Sequence, residues 1–441
     1  MAPKILLINP PIYDFSAYDF WLKPYGLLRV GGYLRGQAEL RLFDYLDRWH
    51  PLAPLVASKQ SDAWDRGPFY ATVVPKPALF SAVPRSYRRY GLPRQLFQRF
   101  LVDAGPFDVA LLQTVMTYWY PGVKEVIDDI RSFSPRTQIV LGGVYATLCP
   151  QHAQGLGADL VIERTRLAPL WHLLHLTPRP QEAPLWEAYA PLRVGVLKLA
   201  DGCPFQCTYC SVPQVYPPFA ARPFERSVAE LEALWRRGVR NVAFYDDALL
   251  FKPEQILLPL LRHVLRRGID VHFHTPNALN ARFLTKDVAA LMVQAGFKTF
   301  YLGFESSAYQ WQRRTGGKVY ADELAQAVDH LVRAGADVRQ ITAYLIIAHP
   351  QTVQQDVEAS MRFAHRMGIR LMLSEFSPIP GTPDGEQCRQ WVDLDEPLWH
   401  NKTVFPLLLL GTAEVHRLKM LCRQLNQRLD RAPAAPLVGQ P

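Results

Sequence analysis

Short apolar runs recur along this 441-residue chain, each followed by a longer amphipathic stretch, and this alternation limits the fold more than any other feature. Strands buried on both faces read as continuous apolar runs, and parallel strands need crossover connections, usually helices. The first series occupies residues 1–163. Residues 4–8, 40–43, 109–112, 139–141 and 160–162 read as strands, and residues 25–34 and 121–131 as helices. This rhythm predicts an α/β fold with a doubly wound, Rossmann-like parallel sheet, whose ligands sit beyond the carboxyl ends of the strands. Asn9 and Pro10 stand at one such end, Thr114 and Thr117 at or just past another, and Gly142 and Gly143 at a third. Glycine at a strand end lets a backbone approach a bulky ligand closely, or makes a tight turn.

A second series begins at Val194. Residues 194–199, 239–245, 269–273, 297–302, 341–347 and 369–376 read as strands, with helices from Glu254 and over 285–296, 321–335 and 353–368. Ser227 and Glu230 have the spacing of a capping box opening the helix that ends near Gly238. Six strands, fewer than the eight of a full barrel, predict an open (β/α)6 partial barrel. The expected organisation is a sheet domain over 1–163, a linker over 164–192, a core over 193–400 and a helical tail over 401–441. In the tail, Leu418, Leu421, Cys422, Leu425 and Leu429 fall on one helical face, as in a docking helix. Residues 51–100 interrupt the first series with prolines, aromatics and arginines and read as a long structureless insertion.

Charge narrows the partners. The chain carries 49 Lys and Arg against 40 Asp and Glu, a formal +9. Residues 51–100 hold eight basic and two acidic side chains, and residues 415–441 five and one, so the rest is near neutral. Two local patches are a poor match to a protein coating nucleic acid along a whole face. They suit a lid over an anionic ligand, Arg85, Arg88, Arg89, Arg94 and Arg99 being the candidates. The longest uncharged apolar runs, such as 405–410, are far short of the ~20 residues that span a bilayer, and the amino terminus has no signal-peptide cleavage region. The expectation is a soluble, cytoplasmic protein.

The six cysteines are unevenly spread: Cys203, Cys207 and Cys210 fall within eight residues, while Cys149, Cys388 and Cys422 stand singly. A tight trio in a large chain points to a metal and not to a disulfide framework. The C-x3-C-x2-C loop follows directly on the first strand of the second series. Three thiolates on one short loop can ligate three irons of a cubane cluster, leaving the fourth iron open. Zinc is the competing metal, and a Cys3His site would have to draw a histidine from elsewhere, such as His172 on the linker side.

With Tyr209 before its last cysteine, this loop resembles the signature of radical S-adenosylmethionine (radical SAM) enzymes, which carry it after the first strand of an open (β/α)6 barrel. The resemblance covers residues of about 190–400. Asp246 and Asp247 end the second strand, where the family contacts the methionyl amino group with a Gly-Gly-Glu segment that this chain lacks. Glu305 and Ser306 lie in a segment resembling the ribose-contacting fourth strand, residues 343–350 resemble the fifth-strand motif near adenine, and residues 377–383 the sixth-strand turn. The resemblance implies a 4Fe-4S cluster on Cys203, Cys207 and Cys210, S-adenosylmethionine chelated to the open iron, and its one-electron cleavage to methionine and a 5′-deoxyadenosyl radical. It also implies an external donor such as a flavodoxin or ferredoxin.

A doubly wound domain ahead of such a barrel resembles the cobalamin-binding class of the superfamily. Segments 141–150 and 158–163 match its fourth and fifth strands, and Asn9, Pro10, Thr114, Thr117, Gly142 and Gly143 are the cobalamin-binding candidates. The D-x-H-x-x-G motif that supplies an axial histidine is absent, the only D-x-H being Asp270 to His272 within the barrel; some members of the class bind cobalamin without it. By this resemblance the reaction is methyl transfer to a poorly nucleophilic carbon of a small molecule or peptide. The alternatives are a cobalamin-independent radical rearrangement or cyclisation, an RNA modification, and an iron–sulfur electron carrier. Methylthiotransferases share the architecture but require a second cysteine set in the amino-terminal domain, where this chain has only Cys149. His274 and Asn277, at the third barrel strand, are the substrate candidates, and Arg313 to Lys318 is a loop able to bind an anion. His349 stands where the family more often has glycine or proline, and its sequence context suggests no role.

Overall fold

A computed structural model describes residues 2–53, 61–179 and 183–431. Residues 54–60 of the insertion and 432–441 of the tail lie outside the described residues. Five parallel strands, β1 (Lys4–Asn9), β2 (Glu39–Asp44), β3 (Val109–Thr114), β4 (Gln138–Gly143) and β5 (Leu160–Ile162), form one sheet in the order β5-β4-β3-β1-β2. The order reverses between β1 and β3, the place where a doubly wound sheet leaves a crevice at its carboxyl edge. Leu6, Ile8, Leu112, Ile139 and Leu141 are buried on one face of the sheet, and Ile5, Leu7, Leu111 and Val140 on the other.

Six further strands form a second parallel sheet in strict sequence order: β6 (Val194–Leu197), β7 (Asn241–Phe244), β8 (His272–His274), β9 (Phe297–Glu305), β10 (Ile341–Ile347) and β11 (Arg370–Glu375). The third strand sits a residue or more later than its apolar run suggested, because Ile269 and Val271 are buried just before it. The capping box is also corrected. The helix Phe224–Arg236 starts behind Pro223, so Ser227 lies inside it and Glu230 is buried, accepting the Tyr25 hydroxyl at 3.2 Å.

A single apolar core runs from Ile5 and Leu7 through Leu185, Trp186 and Tyr189 into Val196 and Phe244, joining the two sheets through the connecting segment. The inner face of the second sheet is covered by residues 18–23 and 62–66 of the amino-terminal part: Trp21 packs with Val194, Ala243 and Tyr301 and stacks on His274. Arg66 donates to the Tyr301 hydroxyl at 2.6 Å, and Asn241 to Asp65 at 2.9 Å.

The stretch 51–100 is not structureless. It contains short strands at Gly67–Pro68, Ala71–Val73 and Arg88–Tyr90 and the start of the helix Arg94–Ala104. Two of its arginines are spent on buried carboxylates: Arg89 forms a bidentate pair with Glu125 at 2.7 and 2.9 Å, and Arg94 pairs with Asp129 at 2.9 Å. Side chains held this way are not a lid over an anion.

The last helix, Val404–Arg431, is broken at Gly411, whose φ of 76° interrupts it. Beyond the break Leu418, Cys422 and Leu425 are buried, and the Asn426 side chain pairs with both backbone groups of Leu371 at 2.9 Å, satisfying part of the edge of β11. Among the described residues no helix is long and apolar enough to cross a membrane.

Candidate cluster site and its relatives

The cysteine loop leaves β6 through two buried residues, Leu199 and Ala200, whose backbone N–H groups need an acceptor. Asp246 supplies one: its Oδ1 accepts from Leu199 at 2.9 Å and Ala200 at 2.7 Å, and its Oδ2 from Leu199 at 3.1 Å. Burial raises its carboxyl to about 7, against the pull of Lys198 and these amides. Asp246 therefore shapes the base of the loop, and its oxygens are committed to the backbone and not to a ligand amine. Asp247 points the other way, towards Lys198 at 3.4 Å.

After Ala200–Asp201, which pairs with Ala220–Ala221, Gly202 turns the chain at a φ of 74° where a Cβ would lie 2.2 Å from the Pro217 carbonyl. The Cys210 N–H then donates to the Cys207 carbonyl at 3.0 Å, closing the C-x2-C turn, and the Thr208 N–H donates to the Thr315 carbonyl at 3.3 Å. Gly316, with φ of 108°, lets its backbone lie against the turn: a Cβ there would be 3.1 Å from Cys207 Cα. The Arg313 to Lys318 stretch thus supports the cysteine loop instead of standing free in solvent.

All six cysteines are free. Burial pushes the thiols of Cys203 and Cys207 up, and that of Cys210 to about 12. Three half-buried thiolates repel one another and lack solvation, so they need a multiply charged cationic partner; a cluster with several irons meets that need. Among the described residues, no three His, Cys, Asp or Glu side chains are grouped to hold a single metal ion. The donor set fits a cluster. The lone cysteines are used otherwise: Cys388 Sγ donates to the Asp384 carbonyl at 3.2 Å, Cys422 faces Leu371, and burial raises Cys149 to about 12.

Two charged groups flank the loop. Glu305 ends β9 in a left-handed conformation, φ 66°, beside a register shift with β10, and its Oε1 accepts from Lys318 Nζ at 2.7 Å. Backbone strain of this kind at a strand end is found where a side chain must be aimed. Lys318 adjoins Cys207 and Cys210 and favours their ionised forms. Ser306 is turned inward, its Oγ accepting the Ala308 N–H at 3.1 Å. Tyr209 stacks on Trp311 with ring centroids 6.0 Å apart, and burial together with Glu305 and Cys207 raises its phenol well above the ordinary range. The sequence marks Lys318 only as part of an anion-binding loop and gives no signal for Lys198, directly after β6, because their partners Glu305 and Asp247 lie 13 and 49 residues away.

His274 does not face a substrate space. It is fully buried, stacked on Trp21 at 4.2 Å, with Nδ1 against Thr299 Oγ1 and Nε2 against Asn241 Oδ1, both at 3.1 Å. Burial pushes its imidazole down to about 2, so it stays neutral. Only the fold brings Trp21 to it, from 253 residues away. Asn277 is exposed and donates to the Tyr245 carbonyl at 3.0 Å.

At the carboxyl edge of the first sheet a small cleft opens between β1 and β3, lined by Asn9, Pro10, Gln113, Thr114, Met116 and Trp119 among others. No histidine lines it. The Asn9 amide donates to Asp44 Oδ1 at 2.7 Å, and Thr114 bonds the Gly142 carbonyl at 2.9 Å. Gly142 itself has open space where a Cβ would stand, whereas Gly143 is closed against the Thr114 carbonyl. Thr117 lies away from the cleft, bonded to His400 Nδ1 at 2.8 Å. This edge adjoins the cysteine loop: the helix Val144–Leu148 after β4 packs against Val212–Val215, just past Cys210.

Residues 197–364 match the family model described as the radical SAM superfamily. Among curated proteins, the chain is 26% identical over 191 residues to the uncharacterized methyltransferase PH0819 of Pyrococcus horikoshii, covering 43% of this chain and 40% of that protein. It is 23% identical over 286 residues to the threonylcarbamoyladenosine tRNA methylthiotransferase MtaB of Thermotoga maritima, covering 59% and 64%. The match thus spans less than two thirds of either curated relative. Among solved structures, the radical SAM methyltransferase TsrM of Kitasatospora setae, with cobalamin and a [4Fe-4S] cluster bound, superposes with a TM-score of 0.66 at 14% identity, over 96% of this chain and 91% of that one. The likeness extends through both sheets, and it is a likeness of fold. With its cysteine trio on the loop after β6 and six parallel strands in sequence order, this chain carries a radical SAM domain over residues 197–364.

Proposed function

We propose that this protein is a cobalamin-dependent radical SAM methyltransferase acting on an unactivated carbon of a small molecule or peptide. The observation that carries the reading is the placement of the cysteine loop beside the carboxyl edge of a doubly wound sheet, at which two cofactors could meet. Cys203, Cys207 and Cys210 would hold a 4Fe-4S cluster. Asp247 and Glu305, at the ends of β7 and β9, would receive S-adenosylmethionine, with Tyr209 at the back of the loop. The cluster and S-adenosylmethionine together supply reductive cleavage of a carbon–sulfur bond, chemistry that belongs to the cofactors.

The chain's own residues do the rest. Asp246 fixes the base of the loop, Lys318 offsets the charge of the thiolates, and Trp21, Phe20 and Arg66 fill the inner face of the sheet and exclude water from beneath the site. On the facing edge, Asn9, Pro10, Thr114 and Gly142 would line part of a corrinoid. With no histidine lining the cleft, cobalamin would bind without an axial histidine. The lone Cys149 weighs against methylthiotransfer, since it leaves no second cysteine set near this edge.

Anaerobic reconstitution with iron and sulfide, followed by reduction in the presence of S-adenosylmethionine, tests the first half. The expected results are a thiolate-to-iron absorption band, lost in Cys203→Ala, Cys207→Ala and Cys210→Ala, and release of 5′-deoxyadenosine or a methylated product. An unchanged spectrum in those variants refutes the ligand assignment. Corrinoid retained by protein purified from cells supplied with cobalamin tests the second half; cleavage without any corrinoid affinity leaves a radical SAM enzyme and removes methyl transfer through cobalamin.

A further inference from the structure

His349, whose sequence context suggests no role, has only one proton arrangement that its neighbours allow. Its Nδ1 accepts from Trp311 Nε1–H at 3.3 Å and from the Gln351 backbone N–H at 3.2 Å, so Nδ1 carries no proton and Nε2 does. The Nε2–H donates to Asp384 Oδ2 at 2.9 Å. The same Oδ2 accepts a short hydrogen bond from the Thr208 hydroxyl. Asp384 also donates its backbone N–H to the Thr208 carbonyl at 3.2 Å. Thr208 is thus held by side chain and main chain together, and it stands between Cys207 and Cys210.

The arrangement is built from distant parts of the chain. Trp311 follows β9, His349 follows β10 and Asp384 follows β11, and all three are at most 2% exposed. Tyr209 closes the cluster of groups, stacked on Trp311 and edge-on to His349 at 6.3 Å. Although burial opposes ionisation, the bonds from His349 and Thr208 hold the Asp384 carboxyl below the ordinary aspartate range, so it carries a negative charge. Solvent does not screen a charge in such a place, and groups that orient ligands from behind tune metal sites.

We propose that Asp384 and His349 are positioning residues for the cluster-binding turn: they anchor Thr208, hold the spacing of Cys207 and Cys210, and place a negative charge beside the iron site that makes its reduction potential more negative. The inference rests on the cluster reading of the cysteine trio. His349 acts through Asp384, presenting a single N–H that fixes the carboxylate's direction.

Four proteins test it: wild type, Thr208→Val, Thr208→Ser and Asp384→Asn. In the iron-free proteins, amide hydrogen exchange over residues 203–210 is expected to be at least about tenfold faster in Thr208→Val, corresponding to about 1.4 kcal/mol, restored in Thr208→Ser, and close to wild type in Asp384→Asn, whose amide oxygen at the Oδ2 position keeps both bonds. In the reconstituted proteins, the cluster midpoint potential, followed by electron paramagnetic resonance, is expected to be less negative in Asp384→Asn than in wild type. A structural role alone would alter exchange and leave the potential where it was. Wild-type exchange in Thr208→Val, or an unchanged potential in Asp384→Asn, overturns the proposal. If Asp384→Asn fails to fold, the neutral and smaller Asp384→Ser takes its place in the potential measurement, and Thr208→Val still decides the exchange. If wild type takes up no cluster, the functional reading falls, while exchange in the iron-free proteins still decides the anchoring of the turn.

Discussion

Removing Asp246 should unfasten the base of the cysteine loop, and the kind of replacement should matter more than the loss of charge. In Asp246→Ala the N–H groups of Leu199 and Ala200, on residues 1% and 3% exposed, lose their acceptor. An unsatisfied buried donor costs about 1–3 kcal/mol, so the two cost about 2–6 kcal/mol together. Asp246→Asn behaves differently. Oδ1 alone receives the two shortest bonds, so an amide oxygen in that position keeps both, while the NH2 displaces only the 3.1 Å contact. The amide also avoids burying a charge. The carboxyl at about 7 lies well above the ordinary aspartate value near 3.9, and at about 1.4 kcal/mol per pH unit the difference amounts to about 4 kcal/mol. The sign follows from proton counting: between those two values the folded state holds a proton that the unfolded state has released. Wild-type stability therefore falls as pH rises from about 4 to about 7 and levels off above, a dependence that Asp246→Asn lacks. Hydrogen exchange at Leu199 and Ala200 is the direct assay, with urea unfolding at pH 5 and pH 8 for the pH dependence. The expectation is exchange faster by about thirtyfold or more in Asp246→Ala, for a cost of about 2 kcal/mol, and near-normal protection in Asp246→Asn. Equal damage from Ala and Asn, or full protection in Asp246→Ala, would refute the backbone-acceptor role.

Three further outcomes follow from the packing. Arg89→Met strands Glu125, buried at 5% exposure, and should cost about 3–5 kcal/mol in urea unfolding, most of it recovered in the double variant with Glu125→Leu because the pair is then replaced by apolar groups. His274, neutral with its imidazole at about 2, should show no imidazole titration by nuclear magnetic resonance between pH 4 and 9, and His274→Ala should cost about 2–4 kcal/mol by opening a cavity under Trp21. Gly316→Ala places a methyl 3.1 Å from Cys207 Cα in a left-handed conformation, so iron content after reconstitution should drop below that of wild type while Gly335→Ala, with open space at a similar φ, retains it.

The strands and helices were legible because their signals are local. Residues 4–8 and 341–347 read as buried strands from their own apolar runs, and both are strands in the structure. The C-x3-C-x2-C spacing likewise needs only eight residues to declare a metal-binding loop. Where local signals misled, a distant partner had decided the matter. Ser227 and Glu230 have capping-box spacing, yet Pro223 starts the helix earlier and Tyr25 takes up Glu230. The arginine-rich stretch 51–100 reads as a mobile basic loop until Glu125 and Asp129 are seen to neutralise Arg89 and Arg94. His274 and Asp246 sit at strand ends where functional side chains gather, and their neighbours turned them into packing and backbone support.

The sequence by itself determined the parallel α/β architecture and marked the cysteine loop proposed to bind a cluster, since periodicity and close cysteine spacing are properties of contiguous residues. The tertiary structure decided which polar side chains are free to meet a cofactor. That choice depends on contacts such as Trp21 with His274, Lys318 with Glu305 and His349 with Asp384. These pairs lie from 13 to 253 residues apart, and only chain folding determines whether a buried polar group is satisfied within the protein or left to bind something else.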